Sequence, residues 1–186
     1  MPTVILRPDS STSQTGWPSA DISTTINDNN TSTGVTQNSF NCNFTGTLDD
    51  LDGSLSGATI NSFTISANAE AGRTGATSAS LSLVHATDGI FATEIENWTS
   101  TQNTQTTTAF TTQQDGSSAL TFAYINGCSV NIVPASNGIT LYELFVTVDY
   151  TAAASGYSHD IMGLAAASIG KVNTVATANV GKVSGT

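Results

Sequence analysis

The segment I-T-L-Y-E-L-F-V-T-V-D-Y-T (139–151) constrains the fold more than any other stretch of the chain. Tyr142, Leu144, Val146, Val148 and Tyr150 alternate on one face, while Leu141 and Phe145 add apolar groups to the other. That pattern predicts a central strand covered on both sides, with Tyr142, Leu144, Val146 and Val148 facing the core. Such a strand needs partners, and shorter runs supply them. T-V-I-L-R (3–7) is apolar and ends at Pro8. S-F-N-C-N-F-T (39–45) puts Phe40, Cys42 and Phe44 on one face, and S-F-T-I-S-A-N-A (62–69) does the same with Phe63, Ile65, Ala67 and Ala69. In S-A-S-L-S-L-V-H (78–85) it is Ala79, Leu81 and Leu83 that alternate with serine. Further runs at 89–98, 107–112, 119–125 and 128–133 are separated by D-G, Q-D-G-S-S and N-G turn signals.

Short strands with turns about every 8–12 residues predict an all-β, antiparallel β-sandwich or jelly-roll-like domain. The two runs flanking 70–76 read as a hairpin. Residues 9–38, rich in Ser, Thr, Asn and Asp around Trp17-Pro18, read as irregular with one short strand near Ala20–Ile26. The turn-rich stretch 47–57 has room for one helical turn.

The division that follows is an N-terminal strand and irregular segment (1–38), a sandwich body (39–151), a small-residue linker (152–160) and a C-terminal arm (161–186). The arm carries an 11-residue repeat: I-M-G-L-A-A-A-S-I-G-K is followed by V-N-T-V-A-T-A-N-V-G-K and V-S-G-T. An odd period flips every side chain of a strand to the other face. It matches three helical turns, but Gly163, Gly170 and Gly181 and the valine content oppose a free-standing helix. The arm is therefore expected to be an extended segment or a helix that orders by docking. Its assembly contacts would be Ile161, Leu164, Ile169, Lys171, Val172, Val175, Val180, Lys182 and Val183.

Charge divides the chain in the same place. Fourteen carboxylates and only Arg7 and Arg73 precede the arm, leaving residues 1–160 at −12, whereas Lys171 and Lys182 give the arm +2. So acidic a body repels phosphate backbones and anionic membranes, which excludes nucleic-acid and membrane partners. No charged n-region with an apolar h-region opens the chain, and no stretch approaches the ~20 apolar residues of a membrane span. Cys42 and Cys128 lie far apart without zinc spacing and read as free, buried small hydrophobes.

Candidate sites are few. Asp49, Asp50, Asp52 and Gly53 are too compressed for a calcium loop and lack its closing carboxylate, so the aspartates read as turn caps. Glu94 and Glu96 share a strand face, whereas a glycosidase pair spans a cleft about 5–10 Å wide. Both are expected on a solvated face. His85 ends a strand beside a turn, and Ser158, His159 and Asp160 are consecutive, so they cannot converge as a triad. Both histidines read as surface or hinge residues. No catalytic residue, metal ligand or cofactor site is expected. Trp17, Trp98, Tyr124 and Tyr157 are the aromatic candidates for stacking on sugars. The Asn-x-Ser/Thr matches at Asn29, Asn30, Asn43 and Asn97 are the kind that chance produces in so Asn- and Thr-rich a chain.

Three stretches, L-S-G-A-T-I-N-S-F-T-I-S-A-N-A-E-A-G (55–72), L-Y-E-L-F-V-T-V-D-Y-T (141–151) and I-G-K-V-N-T-V-A-T-A-N-V-G-K-V (169–183), resemble the structural proteins of tailed bacteriophages, in particular virion proteins of aquatic phages. The resemblance implies a non-enzymatic, homo-oligomeric and often trimeric β-sandwich, assembled in the host cytoplasm into the virion. As partners it implies other virion proteins: the major capsid protein for a decoration or cement role, or tail proteins for a fibre or tip role. The rival expectation is a glycan-binding adhesin module.

Overall fold

The computed structural model describes residues 2–18, 21–37, 39, 42–72, 77–135 and 138–153, with the backbone of 171–172 and 175–176. The chain divides into two compact units, Met1–Thr151 and Ala152–Thr186. The first is an antiparallel β-sandwich of jelly-roll-like character. One sheet holds β1 (Thr3–Leu6), β10 (Ile139–Thr151), β5 (Thr59–Ala71) and β8 (Asn103–Thr106) in that order, with β3 (Val35–Thr36) also pairing β10. The other runs β2 (Pro8–Thr15), β4 (Asn43–Leu48), β9 (Cys128–Pro134), β6 (Thr77–His85) and β7 (Gly89–Trp98).

Alternation explains the core. Phe63, Ile65, Ala67 and Ala69 on β5, Ala79, Leu81 and Leu83 on β6, and Leu144, Val146 and Val148 on β10 are all fully buried, together with Phe44 and Trp98. Full burial of each larger aliphatic or aromatic side chain contributes about 1.5–3 kcal/mol. A run of rings bridges the sheets: Phe110 stacks on Phe63 at 5.3 Å, Phe63 meets Phe91 edge-on, Phe91 meets Tyr124 edge-on, and Tyr124 stacks on His85 at 4.1 Å. Cys42 and Cys128 are free and buried.

Several expectations are corrected. β5 and β6 are not a hairpin: β5 pairs β10 and β8, while β6 pairs β9 and β7. Alternation shows which face of a strand is buried, and two strands buried on one face can lie opposite each other across a core as well as side by side. The strand expected near Ala20–Ile26 is a short helix, α1 (Ser23–Ile26), because Ile22 and Ile26, both fully buried, are spaced by four rather than by two. The run 119–125 becomes α2 (Phe122–Asn126); the Thr121 hydroxyl accepts from the Tyr124 N–H at its start, and Gly127 closes it. In 107–112 only Phe110 and Thr112 make isolated bridges, and the strand lies just before, at β8. Within the stretch read as irregular, Pro8–Thr15 forms an edge strand almost entirely of small polar residues. The one helical turn expected in 47–57 is a 3-10 turn at Gly53–Leu55.

In β10 a register shift between Leu141 and Glu143 inserts Tyr142 as an extra residue. Ile139 and Leu141 point inward before the bulge, and Leu144, Val146 and Val148 do so after it. Tyr142 thus leaves the core face on which the sequence places it.

Candidate functional site

The outer face of the first sheet carries a polar network that joins several strands, and β5 supplies its axis. The residues alternating with the buried Phe63, Ile65, Ala67 and Ala69 are Ser62, Thr64, Ser66, Asn68 and Glu70, which face outward. Ser66 and Thr106 share a hydroxyl–hydroxyl hydrogen bond of 2.9 Å. The Asn68 amide donates to the Thr104 hydroxyl at 2.8 Å and its carbonyl accepts from Gln102 at 2.7 Å. Further along, Asn61 donates to Thr151 at 3.1 Å and to Asp149 at 3.4 Å. The four strands of this face span about 14 Å at the usual interstrand spacing.

Glu143 and Phe145 alternate with the inward Leu144 and Val146, and the bulge in β10 adds Tyr142 to their outer face. Tyr142 donates its hydroxyl to Glu70 at 2.7 Å, and that hydrogen bond, followed by burial, raises the phenol above its ordinary value. Glu143 is 7% exposed and pairs with Arg7 at 3.3 Å. The Arg7 guanidinium lies 5.2 Å from the centroid of the Phe145 ring and also donates to the Asn29 side chain at 2.8 Å.

The segment 27–34 crosses above one end of this face. Asn29, in the left-handed region at φ 56, meets Arg7, and Gln102 donates to the Thr31 carbonyl at 2.7 Å. Gly34 lies against the Tyr142 ring; a Cβ there would fall 2.6 Å from Tyr142 Cδ1. The result is a polar floor with a wall along one end and an open edge at β8, where Thr104 and Thr106 are exposed.

The sequence candidates lie elsewhere. Trp17, Trp98 and Tyr124 are core residues at 6%, 0% and 7% exposure, so they offer no stacking surface; Tyr157 lies outside the described residues. Their ring N–H and O–H groups have partners inside the fold, Trp17 donating to the Asn43 carbonyl and Trp98 to that of Asn103. Glu94 and Glu96 do share a strand face, but it is the inner face of the edge strand β7, opposite Leu81 and Ala79, and both are half-buried. Glu94 accepts from the Thr108 backbone N–H at 2.8 Å and from the Thr108 hydroxyl. Burial, with the Glu94 charge adding, raises the Glu96 carboxyl. Charges pointing inward from an edge strand blunt sheet-to-sheet pairing, which accounts for the pair without catalysis.

His85 is not a surface residue. Its side chain is 16% exposed, stacked on Tyr124, with Nδ1 3.2 Å from Asp88. His159, Ser158 and Asp160 lie outside the described residues. Asp52 accepts from the Ser54 N–H at 2.7 Å, a turn cap that lowers its carboxyl. Asp49 and Asp50 line a pocket of about 410 Å³ with Asp9, Thr47, Asn126 and Ser129. Among the described residues no cluster of three or more His, Cys, Asp or Glu is arranged to hold a metal ion. Of the arm residues, Lys171–Val172 pairs antiparallel with Val175–Ala176, so the backbone is extended there; Ile161, Leu164, Ile169, Val180, Lys182 and Val183 lie outside the described residues.

No protein-family model and no curated protein matches the sequence. Among solved structures the chain is similar to a truncated AlyQ with CBM32 and alginate lyase domains, at 15% identity and a TM-score of 0.49 over 83% of this chain. It spans 35% of the length of that protein. It is also similar to the C-terminal CBM6 of LamC, a marine laminarinase from Zobellia galactanivorans, at 10% identity and a TM-score of 0.44 over 79% of this chain and 98% of that one. A third is the carbohydrate-binding module CBM6cm-2 from Cellvibrio mixtus lichenase 5A in complex with cellotriose, at 13% identity and a TM-score of 0.41 over 80% of this chain and 97% of that one.

The residues of the outer face escaped the sequence reading, which followed apolar periodicity. The available signal is the polar half of the same alternation. From Ser62 to Glu70 the outward positions are hydroxyls, an amide and one carboxylate, with no lysine or arginine.

Proposed function

We propose that the Met1–Thr151 unit is a non-catalytic glycan-binding module that takes its ligand on the outer face of the first sheet. The observation that supports this is the cross-strand lattice of hydroxyl and amide side chains joining Ser66, Asn68, Gln102, Thr104 and Thr106, bordered by Phe145, Tyr142 and Arg7. Ser66 and Asn68 are themselves buried, at 3% and 8% exposure, and hold Thr104 and Thr106 in place. Each of those two hydroxyls is exposed and has one donor and two acceptor sites, which leaves capacity toward solvent. Sugars present hydroxyls at comparable density together with apolar C–H faces, and amides, hydroxyls and an aromatic ring are the groups that meet both. The half-buried Glu94 and Glu96 sit side by side rather than across a cleft, and this supports binding without hydrolysis.

Affinity electrophoresis against a panel of soluble polysaccharides tests the proposal. Thr104→Val and Thr106→Val, both at exposed positions, should retard less in the gel that binds the wild type, with thermal melts showing both variants still folded at the assay temperature. Release of reducing ends from a bound polysaccharide would sink the non-catalytic part. Unchanged retardation of both variants would move the site off this face.

A further inference from the structure

Charge decides which glycans the outer face of the first sheet can accept, an argument that rests on reading that face as the glycan site. Arg7 is its one described guanidinium, and it is already occupied: Glu143 pairs with it at 3.3 Å, Asn29 accepts from it at 2.8 Å, and the Phe145 ring lies beneath it at 5.2 Å. A uronate or sulfate approaching Arg7 would have to compete with a carboxylate that is 7% exposed and fixed in place. Two more carboxylates lie on the same face, Glu70 against the Tyr142 hydroxyl and Asp149 against Asn61. Three carboxylates thus stand against one described arginine on this face, within a Met1–Thr151 unit whose formal charge is −11.

The geometry points to a face that selects uncharged polysaccharide and excludes chains carrying uronate or sulfate. The exposed Thr104 and Thr106 hydroxyls provide hydrogen bonds that need no charge on the ligand, and the fixed negative field provides the discrimination. The sequence length and the fold alone do not contain this selectivity. It arises because Glu143, out of phase with the inward Leu144 and Val146 of β10, stands on the outer face, where it neutralises Arg7.

The test compares laminarin, galactomannan and hydroxyethylcellulose, all uncharged, with alginate and hyaluronan, at about 20 mM and about 500 mM NaCl, where screening lengths differ several-fold. At low salt the wild type should bind at least one uncharged chain roughly tenfold or more tighter than either anionic chain. The gap should narrow at high salt. It should also narrow in Glu143→Gln, which keeps the shape of the side chain and releases the guanidinium. An anionic chain bound at low salt as tightly as the best uncharged one would overturn the selectivity while leaving glycan binding intact. A gap indifferent to both salt and Glu143→Gln would overturn its electrostatic origin. Binding of no chain of either kind would overturn the glycan reading itself, and the selectivity with it.

Discussion

Arg7 and Glu143, 136 positions apart in sequence, close to 3.3 Å on the outer face of the first sheet. The contact ties the turn between β1 and β2 to β10, and Asn29 and Phe145 hold the guanidinium from its other sides. Arg7→Ala would leave the Glu143 carboxylate largely buried without its cation. The expected loss is about 2–3 kcal/mol of unfolding free energy in urea titration. Arg7→Met with Glu143→Leu should recover much of it, since an apolar pair leaves no unpaired charge behind.

The bulge in β10 separates two neighbouring large residues by face. Leu144→Ala, at a fully buried position, should cost about 2–5 kcal/mol by loss of burial and creation of a cavity. Tyr142→Phe removes only the hydroxyl that meets Glu70 and should cost about 1 kcal/mol or less. Equal losses at the two positions would place Tyr142 on the core face after all.

Gly16 stands at φ +75, and a Cβ there would fall 2.1 Å from the Cys42 sulfur and 3.2 Å from the Cys42 Cα. Gly89, at φ +84, has open space around it. Gly16→Ala combines backbone strain with a clash against a buried neighbour and should destabilise by well over 1 kcal/mol, whereas Gly89→Ala should cost only about 1 kcal/mol. Thermal melts of the two variants side by side measure the difference.

Burial, with the Asp88 charge adding, pushes the Cys128 thiol from 9.0 up to about 12. The folded chain keeps a proton that the unfolded chain releases above about pH 9. The associated stability is complete below that pH and is lost as pH rises toward 12, the folded value. Urea titrations at rising pH should therefore fall more steeply for the wild type than for Cys128→Ala. In the native protein at pH 8, Cys128 should resist alkylation that proceeds readily in urea.

The arm retains its expected role as a proposal, namely contacts with further copies or with a larger assembly. Deleting 161–186 should leave the melting transition of the sandwich unchanged and abolish any self-association seen by sedimentation of the full chain. Identical sedimentation of both forms would reduce the repeat to a passive tail.

The sequence by itself determined the all-β class and the burial of Phe63, Ile65, Leu81, Leu83, Val146 and Val148, because alternation acts within a few residues of each position. It left open which strands are neighbours, and the hairpin read across 70–76 is instead a crossing between sheets, since a buried face is equally well covered from beside or from opposite. Ile22 and Ile26 became a helical turn through a spacing of four that a strand reading overlooked. Only the tertiary structure decided the outer face of the first sheet. One inserted residue turns Tyr142 onto the face where Glu143 and Phe145 meet Arg7, beside polar positions of β5 and β8. Those contacts join residues up to 136 positions apart, and no local pattern encodes a pairing of that range.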